Sequence, residues 1–184
     1  MDANGPTIID LNGESAKLTM FYGRTPRTTF AERRGSAALL GRYRNGFLLL
    51  SKSAGKSHWE AHPEDELLHV LEGSMIVDIL EHGGPRSFAA NAGMMVVVPQ
   101  GAWHRVQSAD GMNVFSATIL DIVCGEGAPQ SLALNAGTIA VIPQGAWHRF
   151  RSSEGFTQLA LTPFPGEVIE RDVDDPRGSE ARAI

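Results

Sequence analysis

The sequence predicts an all-β protein of jelly-roll type, a barrel with an additional partial repeat of about four strands, and three observations lead to it. Twenty glycines and ten prolines punctuate short segments of β-branched and aromatic residues, a pattern of strands and tight turns rather than of helices. The number and rhythm of those segments suit a jelly roll. The stretch NAGMMVVVPQGAWHRVQSADG (Asn91–Gly111) returns as NAGTIAVIPQGAWHRFRSSEG (Asn135–Gly155), 44 residues on and identical at 13 of 21 positions. Solenoids and propellers need about three copies or more to bury a continuous core, so two copies point to a duplicated half-barrel.

In chain order, residues 1–36 read as an N-terminal arm, with one strand at Lys17–Tyr22 and a polar, basic stretch from Arg24 to Arg34 that belongs to an edge rather than a core. Residues 37–117 form the barrel, with strands expected at Ala37–Tyr43, Phe47–Ser51, His58–His62, Glu66–Glu72, Met75–Leu80, Met94–Val98, Trp103–Gln107 and Asn113–Ala117. Residues 118–165 form the second, partial copy, which packs on or completes the barrel. Its strands are expected at Ile119–Val123, Thr138–Ile142, Trp147–Arg151 and Thr157–Thr162. Upstream of the long match, MIVDIL (Met75–Leu80) resembles TILDIV (Thr118–Val123), which extends the duplication to about four strands. Residues 166–184, rich in Asp, Glu and Arg, read as a polar tail.

Composition narrows the function classes. At 184 residues the chain has room for one ordinary domain or two incomplete ones. A net charge of −5 with Lys and Arg scattered along the chain gives nucleic acid no basic stripe to bind. Apolar runs such as Met94–Val98 are far short of the roughly 18 residues of a membrane span. The opening MDANGPTIID lacks the basic and apolar regions of a secretory signal, so the expectation is a cytoplasmic protein. Cys124 is the single cysteine, which rules out an internal disulfide or a cysteine-based metal cluster and reads as a small buried hydrophobe.

The chemistry concentrates in GKSHWEAHPEDELLHVLEG (Gly55–Gly73). Glu60 and His62 are two apart and face the same way in a strand. Pro63 ends that strand, Pro-Glu-Asp turns the chain back, and Glu66 begins the return strand beside Glu60 and His62. The fourth candidate is His104, which follows the Pro99–Gly101 turn. Imidazole and carboxylate together suit a mid-row divalent ion, and three or four such ligands leave positions open for water or substrate. Alternation from Glu66 puts His69 on the opposite face, and His58 is expected to face solvent or support the ligands. Trp59, Trp103 and Trp147 are expected to pack at the barrel mouth.

At these residues the sequence resembles the cupin superfamily, whose first motif is G-x5-H-x-H-x(3,4)-E-x6-G and whose second is G-x5-P-x-G-x2-H. Gly93, Pro99, Gly101 and His104 meet the second motif completely, and Gly137, Pro143, Gly145 and His148 meet it again. His62, Glu66 and Gly73 fit the first motif, while Glu60 stands where it has its first histidine. The resemblance implies a double-stranded β-helix barrel with one metal site, for which the ligand set is Glu60, His62, Glu66 and His104. The ion expected is Mn, Fe or Zn, with Ni or Co as further candidates. His148 is the alternative to His104, since the second copy carries the second motif without the first.

The superfamily spans dioxygenases, isomerases, storage proteins and sensors, so the fold does not fix the activity. The leading expectation is a metal-dependent enzyme of dioxygenase or isomerase type acting on a small organic acid, phenolic or sugar-like substrate, with Glu66, or Glu60, as general base wherever it is not a ligand. The alternative is a sensor that binds a small ligand without essential metal. Unpaired strand edges make a homodimer the expected assembly.

Overall fold

The computed structural model describes residues 7–43, 46–118 and 134–142. In chain order these form β1 (Thr7–Asp10), a short helix α1 (Leu11–Ala16), β2 (Phe21–Arg24), β3 (Ala37–Tyr43), β4 (Gly46–Lys56), β5 (Glu66–Glu81), β6 (Gly84–Asn91), β7 (Met95–Val98), β8 (His104–Thr118) and β9 (Thr138–Val141). The fold is all-β, as the sequence predicts.

Seven strands make one sheet in the order β2-β4-β8-β5-β6, with β3 on β4 and β7 on β5. The strand β5 changes neighbours along its length: Glu66–His69 pair with β7, Ser74–Glu81 pair with β6, and β8 runs along its other side. A strand shared in this way lets one sheet bend round on itself into a barrel-like wrap. The segments expected as separate strands at 66–72 and 75–80 are therefore one, as are those at 103–107 and 113–117. Register shifts between Val70 and Glu72 and between Gly73 and Ile76 mark where β5 bends against β8. Gly73 sits there at φ 75°, and a Cβ on it would strike the carbonyl of Gly111, so only glycine fits.

The bend also explains the packing. Leu68 and Val70 before it, and Met75 and Val77 after it, all point into one cluster with Ala90, Val98, Met112 and Val114. The irregularity shifts the alternation by one residue, which keeps both halves of β5 facing inward. Neighbouring Leu67 and Phe115 point the other way, into a second cluster with Ile9, Leu11, Leu48 and Leu50. The sheet is thus buried on both faces near the start of β5.

What covers the outer face is the N-terminal segment, and here the expectation of a peripheral arm is corrected. Ile9 and Leu11 are buried, Ser15 Oγ accepts a 2.8 Å hydrogen bond from Asn113 Nδ2, and Arg33 is 9% exposed. The strand expected at Lys17–Tyr22 lies at Phe21–Arg24 and pairs parallel with β4. Asp10 caps the helix that precedes it, accepting from Gly13 N at 3.1 Å. The strand β6 was not expected, and His58–His62 is extended with a single bridge rather than a strand.

From the second copy, β9 falls where a strand is expected, but it pairs antiparallel with β1, Thr138 opposite Asp10 and Val141 opposite Thr7. Ile139 and Val141 pack on the outer cluster. The expected strands at 119–123, 147–151 and 157–162 lie outside the described residues, as do Cys124, Trp147, His148 and the tail.

Candidate metal centre

Two backbone clasps bring the two motif regions together. After β4 the chain runs antiparallel to the start of β8, with Ser57 N donating to Val106 O at 2.9 Å and Glu60 and His104 exchanging both of their backbone hydrogen bonds at 2.8 Å. The Pro99–Gly101 turn then docks on the hairpin before β5: Gly101 N donates to His62 O at 2.9 Å, and Gln100 N donates to Asp65 Oδ1 at 2.7 Å. Turn residues at 63–65 and 99–101 thereby fix where His62 and His104 sit.

Glu66 opens β5 on the face shared by Leu68 and Val70, and it and His104 are 8% and 1% exposed. The Nδ1 of His104 lies 3.0 Å from Ala102 O, which directs Nε2 at Glu66 Oε2, 2.9 Å away. His62 Nε2 lies 3.6 Å from the same carboxylate oxygen. The His62 and His104 rings are 5.4 Å apart, tilted by 53°. One potential ligand atom from each of Glu60, His62 and His104 lies within 4.8 Å of the others. Glu60, His62 and His104 thus form one group, Glu66 lies beside its two histidines, and His58 Nε2 is 3.4 Å from Glu60 Oε2. His69 points away with Leu67, as alternation predicts.

The donors fit a divalent ion. The Nε2 of His62 is buried with no hydrogen-bond partner, an unusual state for a ring nitrogen unless something binds it. At bonds of about 2.1 Å, two neighbouring ligand atoms on one ion stand roughly 3 Å apart, close to the separations of Glu66 Oε2 from the two histidines. Burial would lower the pKa of His104. The hydrogen bond from Glu66, the carbonyl of Ala102 and the charges of Glu66 and Glu60 outweigh it and hold that pKa above its ordinary value.

Two features around the centre had no signal in the sequence. Asp78 is 2% exposed and accepts from Ser87 Oγ at 2.6 Å, Arg105 Nε at 2.7 Å and Gln107 Nε2 at 3.3 Å. The Arg105 guanidinium in turn lies 4.4 Å from the centre of the Trp59 ring. Burial would raise the Asp78 pKa, but Ser87, Arg105 and Lys56 hold it below the ordinary value. Trp59 therefore packs on a cation, while Trp103 is exposed. The second feature is Arg24 and Arg33, both within the electrostatic reach of Glu60. Burial, with Arg33 beside it, pushes the Arg24 pKa down to about 10, so it remains charged at neutral pH.

The family comparison agrees with this geometry. Residues 47–123 match the model of the Cupin domain family. That segment of the chain is therefore a cupin domain. Among solved structures, the chain is similar to a protein from Neisseria meningitidis (24% identity over 61% of this chain and 98% of that one, TM-score 0.47). It is similar also to a cupin-2 domain containing protein from Shewanella frigidimarina (21% identity, 46% and 80% covered, TM-score 0.41). A third is a hydroquinone 1,2-dioxygenase from Sphingomonas sp. (15% identity, 47% and 66% covered, TM-score 0.41). No curated protein sequence matches significantly. No helix among the described residues is long and apolar enough to cross a membrane.

Proposed function

We propose that Glu60, His62, Glu66 and His104 hold one divalent metal ion, Mn, Fe or Zn, and that the chain is an enzyme of dioxygenase or isomerase type acting on a small oxygen-rich substrate. The observation that carries this reading is the buried Nε2 of His62, which has no hydrogen-bond partner and lies 3.6 Å from the carboxylate oxygen that meets His104. The bound ion would supply Lewis acidity toward a substrate oxygen.

The protein's own residues do the rest. The Ala102 carbonyl fixes the His104 ring so that Nε2 faces the centre. Glu66, buried between two imidazoles, serves as a ligand or, where it is released, as the general base that takes a proton from the substrate. Glu60 and His62 are partly exposed, with side chains 33% and 25% accessible, so they form the side of the centre open to an incoming molecule.

The same reading takes the chain to be a cytoplasmic homodimer. Support for the dimer is the edge strand β3, whose sheet partner is β4 and which carries exposed Leu39, while Phe47 on β4 is exposed as well. Elemental analysis of the purified protein and its ligand variants tests the metal assignment, and turnover of organic acids, phenols and sugars by the metal-loaded protein tests the enzyme class.

A further inference from the structure

Arg24 and Arg33 bring two positive charges to the centre with little to hold them there. Arg24 ends β2 opposite Gly55, five residues before Glu60, and the two chains are so close that a Cβ on Gly55 would strike the Arg24 backbone. Arg33 is 9% exposed, anchored through its carbonyl by Ser36 N at 3.0 Å and Ser36 Oγ at 2.8 Å. In both side chains Nε is buried with no hydrogen-bond partner. Among the described residues neither guanidinium forms an ion pair, although both feel Glu60. Phe30 lies 5.7 Å from the Arg33 guanidinium and offers it no acceptor beyond the ring face.

A desolvated guanidinium with unused donors is costly unless an acceptor satisfies it. In the metal-free protein, two arginines within the electrostatic reach of Glu60 leave a surplus of one positive charge over that glutamate. A carboxylate matches that surplus and the planar fork of the guanidinium, whereas a phosphate dianion exceeds it.

We propose that Arg24 and Arg33 form a recognition site for a carboxylate, so that the centre at Glu60, His62, Glu66 and His104 acts on a small monoanionic carboxylic acid. The second half of this statement rests on the metal-centre reading; the anion site stands without it. The arginines are positioning residues: they make and break no covalent bond, and they hold the acid so that its remaining atoms reach the side of the centre formed by Glu60 and His62.

Calorimetric titration of the full chain with benzoate, propionate and inorganic phosphate tests it. Wild type, Arg24→Gln, Arg33→Gln and Arg33→Lys are compared, each Mn-loaded and chelator-stripped, with metal content and melting temperature read on the same samples. The expected result is that the carboxylates bind wild type more tightly than phosphate does and lose about tenfold or more in both glutamine variants. Arg33→Lys should fall between, keeping the charge and losing the fork, with metal content unchanged throughout. Equal carboxylate affinity in wild type and Arg24→Gln, a preference for phosphate, or no carboxylate binding by wild type would overturn the proposal. A wild type that takes up no metal, yet loses carboxylate affinity in Arg24→Gln, would sustain the anion site while refuting the metal centre. If Arg33→Gln does not fold, the half-buried Arg24 decides.

Discussion

His104 gives one ring nitrogen to Ala102 and the other to Glu66, so in the metal-free protein a proton on Nε2 is stabilised by the carboxylate. Its folded pKa lies above the 6.5 of the unfolded chain. The resulting stabilisation is fully present below that value and is lost as pH rises through the folded pKa. Metal-free protein is therefore expected to lose stability as pH rises above 6.5 and through the folded pKa, and Glu66→Gln should flatten that dependence in pH-resolved denaturant melts. Because proton and metal compete for the same nitrogen, metal affinity should rise over the same interval. Asp78 has the opposite sign: its folded pKa is below the 3.8 of the unfolded chain. Its contribution is present above 3.8 and disappears as pH falls through the folded value. We expect Asp78→Asn to cost about 1–3 kcal/mol at pH 7 and to converge with wild type in strong acid, as measured by urea melts. The four centre residues were legible in the sequence because each sits beside a turn whose Pro or Gly fixes its position. Arg24 and Arg33 were not, because a charge in a polar stretch carries no sign of what will fold over it, and neither was Asp78, an acid in the apolar run MIVDIL whose partners Ser87 and Arg105 come from other strands.

The long strands β5 and β8 owe their continuity to glycine. Sequence alternation breaks at Gly73 and Gly111, and a reading based on period-2 patterning divides each strand there, although the chain bends and continues. The β6 strand, GPRSFAAN, alternates weakly and its pattern is one buried residue in eight, so pairing with β5 defines it rather than hydrophobicity. Replacing Gly73 with alanine should destabilise the fold by about 1–3 kcal/mol, since φ 75° is strained for any L side chain and the added Cβ meets Gly111. Thermal melts of Gly73→Ala against an alanine substitution at the open Gly83 separate this effect from a general loss of glycine.

The sheet, the N-terminal segment and β9 of the second copy share a core on the outer face, where Ile9 and Leu11 meet Leu67 and Phe115. That arrangement was hidden in the sequence because TIIDL is too short to be told from an arm, and its partner strand lies about 130 residues away at Thr138–Val141. Leu11→Ala should cost about 2–5 kcal/mol in equilibrium unfolding, a loss that a merely peripheral arm would not suffer. It should leave the metal centre intact, because Glu66, the proposed ligand on β5, faces the other side with Leu68 and Val70. Elemental analysis by plasma mass spectrometry of untagged wild type, His62→Ala and His104→Ala tests the metal centre most directly. Near-stoichiometric divalent metal in wild type that is lost in both variants is the expected result, whereas folded wild type that carries and takes up none would contradict it.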